Sequence, residues 1–452
     1  MRRHTRRSSV AVGAVAIAVA LTACAPGTGQ SSEPKPQSTE ISTDISGVGD
    51  ITLTVWDQEV RGAQNEQIEQ LNAAFEKKYP NVTIDRVSQA FDDLNTTLRL
   101  ALTDKDAPDV VQANNGRSTM GAFVAADQLR PLDDYADAYG WFDRYAESIL
   151  QYSTYSDDAT VFGEGDLYGL PQVGEVVGVF YSKSKLAGLG VDVPRDWAAF
   201  EEALAAAKAA GEVPIQLGNI EQWPAGHVFG PLQGGYVDAD EITKLGLGNP
   251  GASWTTPENE KAAAAMHGWV TNGYFNEGVN GTDYDAAWQA LAAGNGVFLL
   301  GGSWLAADLA DAMGDDLGFF VPETADGSLA TTGGTGLPFT ITSAAENTDV
   351  AAAYIDFVTN DAAMEILAET GNLPVNRTAE LAPASGVLAD VYQAFEDVTQ
   401  EGSLLPYLDY ATPTFGDTLG QSLQDLIDGR TTPKQFTEAL EADYTEFLTS
   451  NG

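Results

Sequence analysis

The residues of this 452-residue chain whose types and spacing could do chemistry are polar side chains set just past apolar β-type runs, with tryptophans beside them. Asp57, Gln58 and Glu59 follow Ile51-Thr52-Leu53-Thr54-Val55-Trp56, and Asn114, Asn115 and Arg117 follow Pro108-Asp109-Val110-Val111. Trp304 comes after Val297-Phe298-Leu299-Leu300-Gly301-Gly302-Ser303, and Trp223 lies within Glu221-Gln222-Trp223-Pro224. The chemistry open to such a set is recognition. Carboxylates, amides and guanidinium groups pair with hydroxyls, and indole faces lie against apolar C–H surfaces, a combination that suits a sugar. Trp197 and Trp269, on helical patterns, read instead as core.

Reactive constellations are missing from the sequence. The histidines, His4, His227 and His267, share no metal-type spacing, and the lone cysteine, Cys24, excludes an intramolecular disulfide or a multi-cysteine metal site. There is no Gly-Xaa-Ser-Xaa-Gly elbow, no phosphate loop ending in Gly-Lys-Ser/Thr and no dinucleotide fingerprint after the first strand. Gly333-Gly334-Thr335-Gly336 lacks the lysine of a phosphate loop and reads as backbone freedom at a bend. The expectation is therefore no catalytic residues, no metal and no cofactor. A glycoside-processing enzyme needs only two carboxylates, and among 65 acidic residues that alternative stays open.

Alternating strands and helices must position the candidates. A helical pattern with Ile68, Leu71 and Phe75 on one face follows the first strand and stops at Tyr79-Pro80-Asn81. A second strand at Val82-Thr83-Ile84, a helix over residues 94–102 and the strand before Asn114 complete a parallel α/β pattern, in which ligands sit beyond the carboxyl ends of the strands. Further strands are read at residues 176–181 and 297–300. Asp196 is placed to cap a helix carrying Trp197, Phe200 and Leu204, and Thr432, Pro433 and Gln435 form a capping box for a last helix carrying Phe436, Leu440, Tyr444 and Phe447.

The N-terminus reads as an export leader, residues 1–23, with Arg2, Arg3, Arg6 and Arg7 before an apolar run too short to span a bilayer. Leu21-Thr22-Ala23-Cys24 resembles a lipoprotein processing site, so Cys24 is the expected lipid anchor; the arginine pairs leave the export route open. Residues 24–49, rich in Ser, Thr, Pro and Gly, read as a disordered tether. The net charge of −42 becomes −46 once the leader, with four arginines and no acids, is removed. Such acidity argues against nucleic acid or anionic lipid as partners and admits a cationic or peptide-like solute.

In this order the segments resemble the family 1 extracellular solute-binding proteins, the group of the maltose-, multiple-sugar- and raffinose-type binders. The resemblance runs from Ile51 to about Phe447. It rests on Leu53-Thr54-Val55-Trp56 with Phe75-Glu76-Lys77-Lys78-Tyr79-Pro80, Ala107-Pro108-Asp109-Val110-Val111, Tyr168-Gly169-Leu170-Pro171 with Phe180-Tyr181-Ser182-Lys183, Gly302-Ser303-Trp304, and Gly371-Asn372-Leu373-Pro374-Val375-Asn376-Arg377. Ser182 stands where many relatives carry asparagine. The resemblance implies a two-lobed periplasmic-binding-protein-like α/β fold with a ligand cleft at the hinge. Residues 50–172 and 336–375 would form the first lobe, and 173–335 and 376–452 the second. It further implies a monomer on the outer face of the membrane that delivers an oligosaccharide to ABC permease subunits. Carried over residue by residue, Trp56, Asp57, Gln58, Asn114 and Asn115 would reach the ligand from the first lobe. Glu175 would offer a carboxylate at the crossing and Trp304 a stacking ring. Gly334, Thr335 and Asn372 would line crossings beside the cleft, and Tyr407 and Asp409 fall where relatives vary.

Overall fold

Strand Ile51–Asp57 alternates its burial along the chain, with Leu53 and Val55 fully covered, and pairs in parallel with Val82–Ser88 from Ile51↔Val82 to Asp57↔Ser88. The computed structural model describes residues 41–104 and 107–450, within the compact unit Ile41–Gly452; the leader, Cys24 and the start of the tether lie outside the described residues. Val110–Gln112 adds in parallel on the other side of the first strand, and Phe339–Ile341 closes the sheet in antiparallel sense. The purely parallel sheet expected from the alternation thus gains one reversed edge strand. Helix Gly62–Lys78 turns Ile68, Leu71 and Phe75 inward and carries Lys77 and Lys78 in its last turn, where the helix dipole favours cations. Phe91–Ala101 starts earlier than expected, because Asp92 and Asp93 make a favourable first turn and Leu94 and Leu98 supply the buried stripe.

The second sheet is built around Gly174–Ser182, buried at every position. One edge pairs with Phe298–Gly302; the other is shared between Ala330–Thr335, along residues 174–176, and Leu317–Phe320, along residues 179–182. Ser403–Leu405 extends this sheet in parallel beside Ala330–Thr335. Gly178 is required here. A Cβ at that position would lie 2.4 Å from the Phe319 ring and 2.8 Å from the Phe320 carbonyl oxygen, which is backbone and cannot yield. The helices that flank the sheet have the caps read from sequence: Asp196 accepts from Ala199 N at 2.8 Å, and Gln435 Oε1 and Thr432 Oγ1 accept reciprocally from the Thr432 and Gln435 amides.

Three segments pass between the sheets side by side. Gly174 N donates to Leu373 O, Val375 N to Gln172 O and Gly336 N to Val173 O, each at 2.9–3.1 Å. Residues 41–49, read from sequence as disordered, are instead seated against the first sheet. Ile45 is fully buried, and Asn81 Nδ2 donates to the Ile45 and Val48 carbonyls. One apolar side chain and a bridging amide order a segment whose composition is otherwise polar. Ile45→Ala should therefore lower unfolding free energy by about 2–4 kcal/mol, a core-type loss. A urea midpoint equal to that of the parent would place Ile45 outside the core.

Candidate functional site

Between the two sheets lies a cleft of about 280 Å³. Its floor is made by the second sheet where the chain crosses. Glu175 is in register with Gly334, Thr335 with Gly174, and Tyr407 follows Ser403–Leu405 so that its phenol donates to Glu175 Oε2 at 2.8 Å. Burial pushes the Glu175 carboxyl up to about 7, the Tyr407 hydrogen bond opposes that rise and the charge of Glu59 adds to it. Asp409, two residues beyond Tyr407 on the cleft wall, is raised to about 6 by burial.

One wall is aromatic. Trp304 sits in a 3₁₀ turn directly after Phe298–Gly302, and its ring folds back over Gly302, where a Cβ would lie 2.0 Å from it. Only glycine leaves room for that placement. The indole Nε1 donates to Tyr284 Oη at 2.7 Å. His227, near the start of helix Gly226–Gly234, is 5.1 Å from Trp304, 5.1 Å from Tyr407 and 5.4 Å from Trp223 between ring centroids. Burial pushes its imidazole down to about 4, so at neutral pH it is an uncharged ring among rings. Trp223 continues to Tyr284 at 4.5 Å and across the cleft to Phe91 at 6.1 Å.

The opposite wall is polar and comes from loops of the first sheet. Gln58, whose backbone N–H donates to Gln112 Oε1, and Asn114, whose Oδ1 accepts from Gly116 N, both line the cleft. Arg61 reaches across to Asp285 at 3.0 Å; burial works against its charge, but Tyr284, Asp285 and Asp308 together outweigh it and strengthen the guanidinium's hold on its proton. Among the described residues, five of the wall keep a buried polar atom with no hydrogen-bond partner: Arg61 Nε, Asn95 Oδ1, Trp223 Nε1, Thr332 Oγ1 and Thr335 Oγ1. Such atoms are costly unless something pairs with them.

Of the residues selected from sequence, Gln58, Asn114, Glu175, Trp223, Trp304, Thr335, Tyr407 and Asp409 share this wall. Trp56, Asp57, Asn115, Gly334 and Asn372 are not on it. Asp57 is fully buried and saturated, accepting from Arg86 Nε at 2.6 Å, Arg86 Nη2 at 2.8 Å and Glu59 N at 2.9 Å. Asn115 donates to Tyr152 O, Asn372 donates to Ala63 O, Gly334 serves the strand pairing with Glu175, and half-buried Trp56 packs on the cluster around Leu94 and Leu98. Arg117, also read at a strand end, donates to the carbonyls of Leu247, Ala159 and Thr160. Residues missed from sequence are Arg61, Phe91, Asn95, His227 and Thr332. From the sequence His227 is considered only for metal-type spacing; its contact with Trp223, which lies in the bend before helix Gly226–Gly234, is set by that turn.

Fold and cleft together define a two-lobed solute-receptor architecture. The chain belongs to the bacterial extracellular solute-binding protein family, whose model matches residues 61–365. It is 22% identical over 316 residues to the multiple sugar-binding protein of Streptococcus mutans, covering 67% of this chain and 70% of that one. It is 28% identical over 236 residues to an uncharacterized ABC transporter extracellular-binding protein of Pyrococcus horikoshii, covering 51% of this chain and about half, 49%, of the relative's length. Among solved structures, a chitin oligosaccharide binding protein matches with TM-score 0.72 at 23% identity, over 88% of this chain and 99% of that one. Maltose-bound MalE3 of T. maritima matches with TM-score 0.70 at 17% identity, with the same coverage. At these identities the structures share the fold.

The Asp57–Arg86 pair, whose side chains are 0% and 14% exposed, supports the loop that carries Gln58 and Arg61. Arg86→Met strands a buried carboxylate and should cost about 3–5 kcal/mol in urea unfolding. An unchanged midpoint would mean that the pair carries no structural weight.

Proposed function

We propose that this chain is the substrate-binding lipoprotein of an ABC importer. It would be a monomer held at the outer face of the membrane through Cys24, receiving an oligosaccharide and presenting it to permease subunits. The carrying observation is the composition of the cleft. Trp223, His227, Trp304 and Tyr407 offer ring faces on one side, and partnerless polar atoms face the same space from Arg61, Asn95, Thr332 and Thr335. A polyhydroxylated ligand with apolar C–H faces satisfies both. The family and the sugar-binding relatives support the same reading. The Leu21-Thr22-Ala23-Cys24 processing motif supports the anchor.

The lobes proposed are residues 50–172 with 336–375, and 173–335 with 376–452. Closure would be a population shift, because a ligand touching both walls gains contacts only when they are together. No enzymatic step is part of this proposal; the family consists of binding proteins.

The test is a thermal-shift panel of trisaccharides (maltotriose, cellotriose, chitotriose, xylotriose, raffinose) beside spermidine and tripeptides. A saccharide at one hundred times its Kd should add about 2.7 kcal/mol of stability. Stabilisation by spermidine or a peptide with none by any saccharide would overturn the carbohydrate reading, and turnover of a glycoside would overturn pure binding. Trp304→Ala should weaken saccharide binding at least about tenfold, about 1.4 kcal/mol, while the variant still unfolds cooperatively. Loss of fold without the indole would make Trp304 a core residue instead.

A further inference from the structure

The charges around the cleft do not balance. Its wall carries Asp92, Glu175, Glu221, Asp409 and Asp417 against only Arg61 and Arg99. Arg61 is committed to Asp285, and Arg99, exposed at the mouth, donates to the Ser118 carbonyl. His227 is neutral. Glu175 therefore lies on the floor, 8% exposed, with no described cation acting on it. The groups around its carboxyl are the phenols of Tyr407, Tyr410 and Tyr284 and the acid of Glu59.

Only one of its oxygens has a described hydrogen bond. Oε2 accepts from Tyr407, whereas Oε1 points toward Gly336, where a Cβ would stand 3.4 Å from it. Beside it on the neighbouring strand, Thr335 and Thr332 are 3% and 1% exposed with partnerless hydroxyls. The rings of Trp304 and Tyr407 each stand 5.1 Å, between centroids, from the His227 ring beside this floor. Acceptors gathered round one buried negative charge under aromatic faces match a group with several N–H donors, no acceptor and a positive charge. A neutral hydroxyl brings one donor and leaves the charge uncompensated.

We infer that the inner end of the cleft recognises a protonated amine carried by the saccharide, so that the substrate class is an amino sugar with a free amine. The inference rests on the carbohydrate reading above. Glu175, held up to about 7 by burial, would be driven to its charged form by the ammonium. Binding below that value then releases a proton from Glu175; well above it Glu175 releases none, and the sugar amine, largely uncharged in water there, takes one up to bind as the ammonium.

Isothermal titration of the mature chain with three trisaccharides of one β-1,4-linked skeleton tests this. They differ only at C2: glucosamine (free amine), N-acetylglucosamine (amide) and glucose (hydroxyl). The free amine should bind at least about tenfold tighter than either neutral form. At pH 6 its binding heat should vary with the ionisation enthalpy of the buffer in the sense of proton release, and at pH 8, where Glu175 is already ionised and the free amine largely uncharged, the dependence should reverse to the sense of proton uptake. Glu175→Gln should remove the preference, and Glu175→Asp, which keeps the charge, should retain it and controls for folding. Equal or tighter binding of a neutral form by the parent chain, or a preference that survives Glu175→Gln, would overturn the inference. Binding of another saccharide of the thermal panel with none of these three would overturn the amine and leave the carbohydrate reading standing. Binding of no saccharide would overturn both.

Discussion

Three extended segments that cross between the two sheets, hydrogen-bonded to one another through Gly174, Val375 and Gly336, are the constraint on which the rest of the structure depends. Through them the chain passes from one sheet to the other. They also decide where the cleft floor lies. Glu175 is one residue into the strand that leaves the crossing, and Thr335 is the last residue of the strand that returns to it. A ligand resting there touches the elements about which the lobes would turn, so its binding energy acts where it changes the interlobe angle most directly.

The contacts across the cleft are of a kind that can be made and broken. Arg61 meets Asp285 with both side chains partly exposed, which in water is worth at most about 1 kcal/mol. Phe91 meets Trp223 edge-on. Tyr152 Oη donates to Leu404 O at 3.3 Å. None of these resembles the continuous apolar packing within each sheet's own core, where Val55, Leu53 and Phe75 or Phe180, Phe200 and Phe229 are completely covered. One apolar cluster also joins the halves, bringing Leu94, Leu98 and Val111 together with Val177, Leu247 and Tyr410, while the cleft itself carries polar groups, several of them partnerless, that a ligand can complete.

Much of this was legible in the sequence. Period-two and helical patterns located the first four elements, and local rules placed the Asp196 cap and the Thr432 box, because those features are decided by neighbours in the chain. The position of Trp304 was also legible, since Gly301-Gly302-Ser303 announces a strand end where a ring can fold back. Which polar residue at a strand end faces the ligand was not. Asp57 and Gln58 are adjacent, yet one is locked on Arg86 and the other lines the cleft, and that outcome depends on a partner 29 residues away. His227 and Arg61 were missed for the same reason: their surroundings come from Trp304, Tyr407 and Asp285, all remote in sequence. The burial of Ile45 shows the limit of composition, which describes an average over the tether and not its one apolar side chain.

The central claim is that a saccharide is held between the lobes and favours their closed arrangement. Small-angle X-ray scattering of the mature chain, recorded across a titration with a saccharide that stabilises it, tests this most directly. The account predicts a saturable decrease in radius of gyration at one ligand per chain, with the same midpoint as binding measured by titration calorimetry. A scattering curve that does not change while the saccharide demonstrably binds would contradict it.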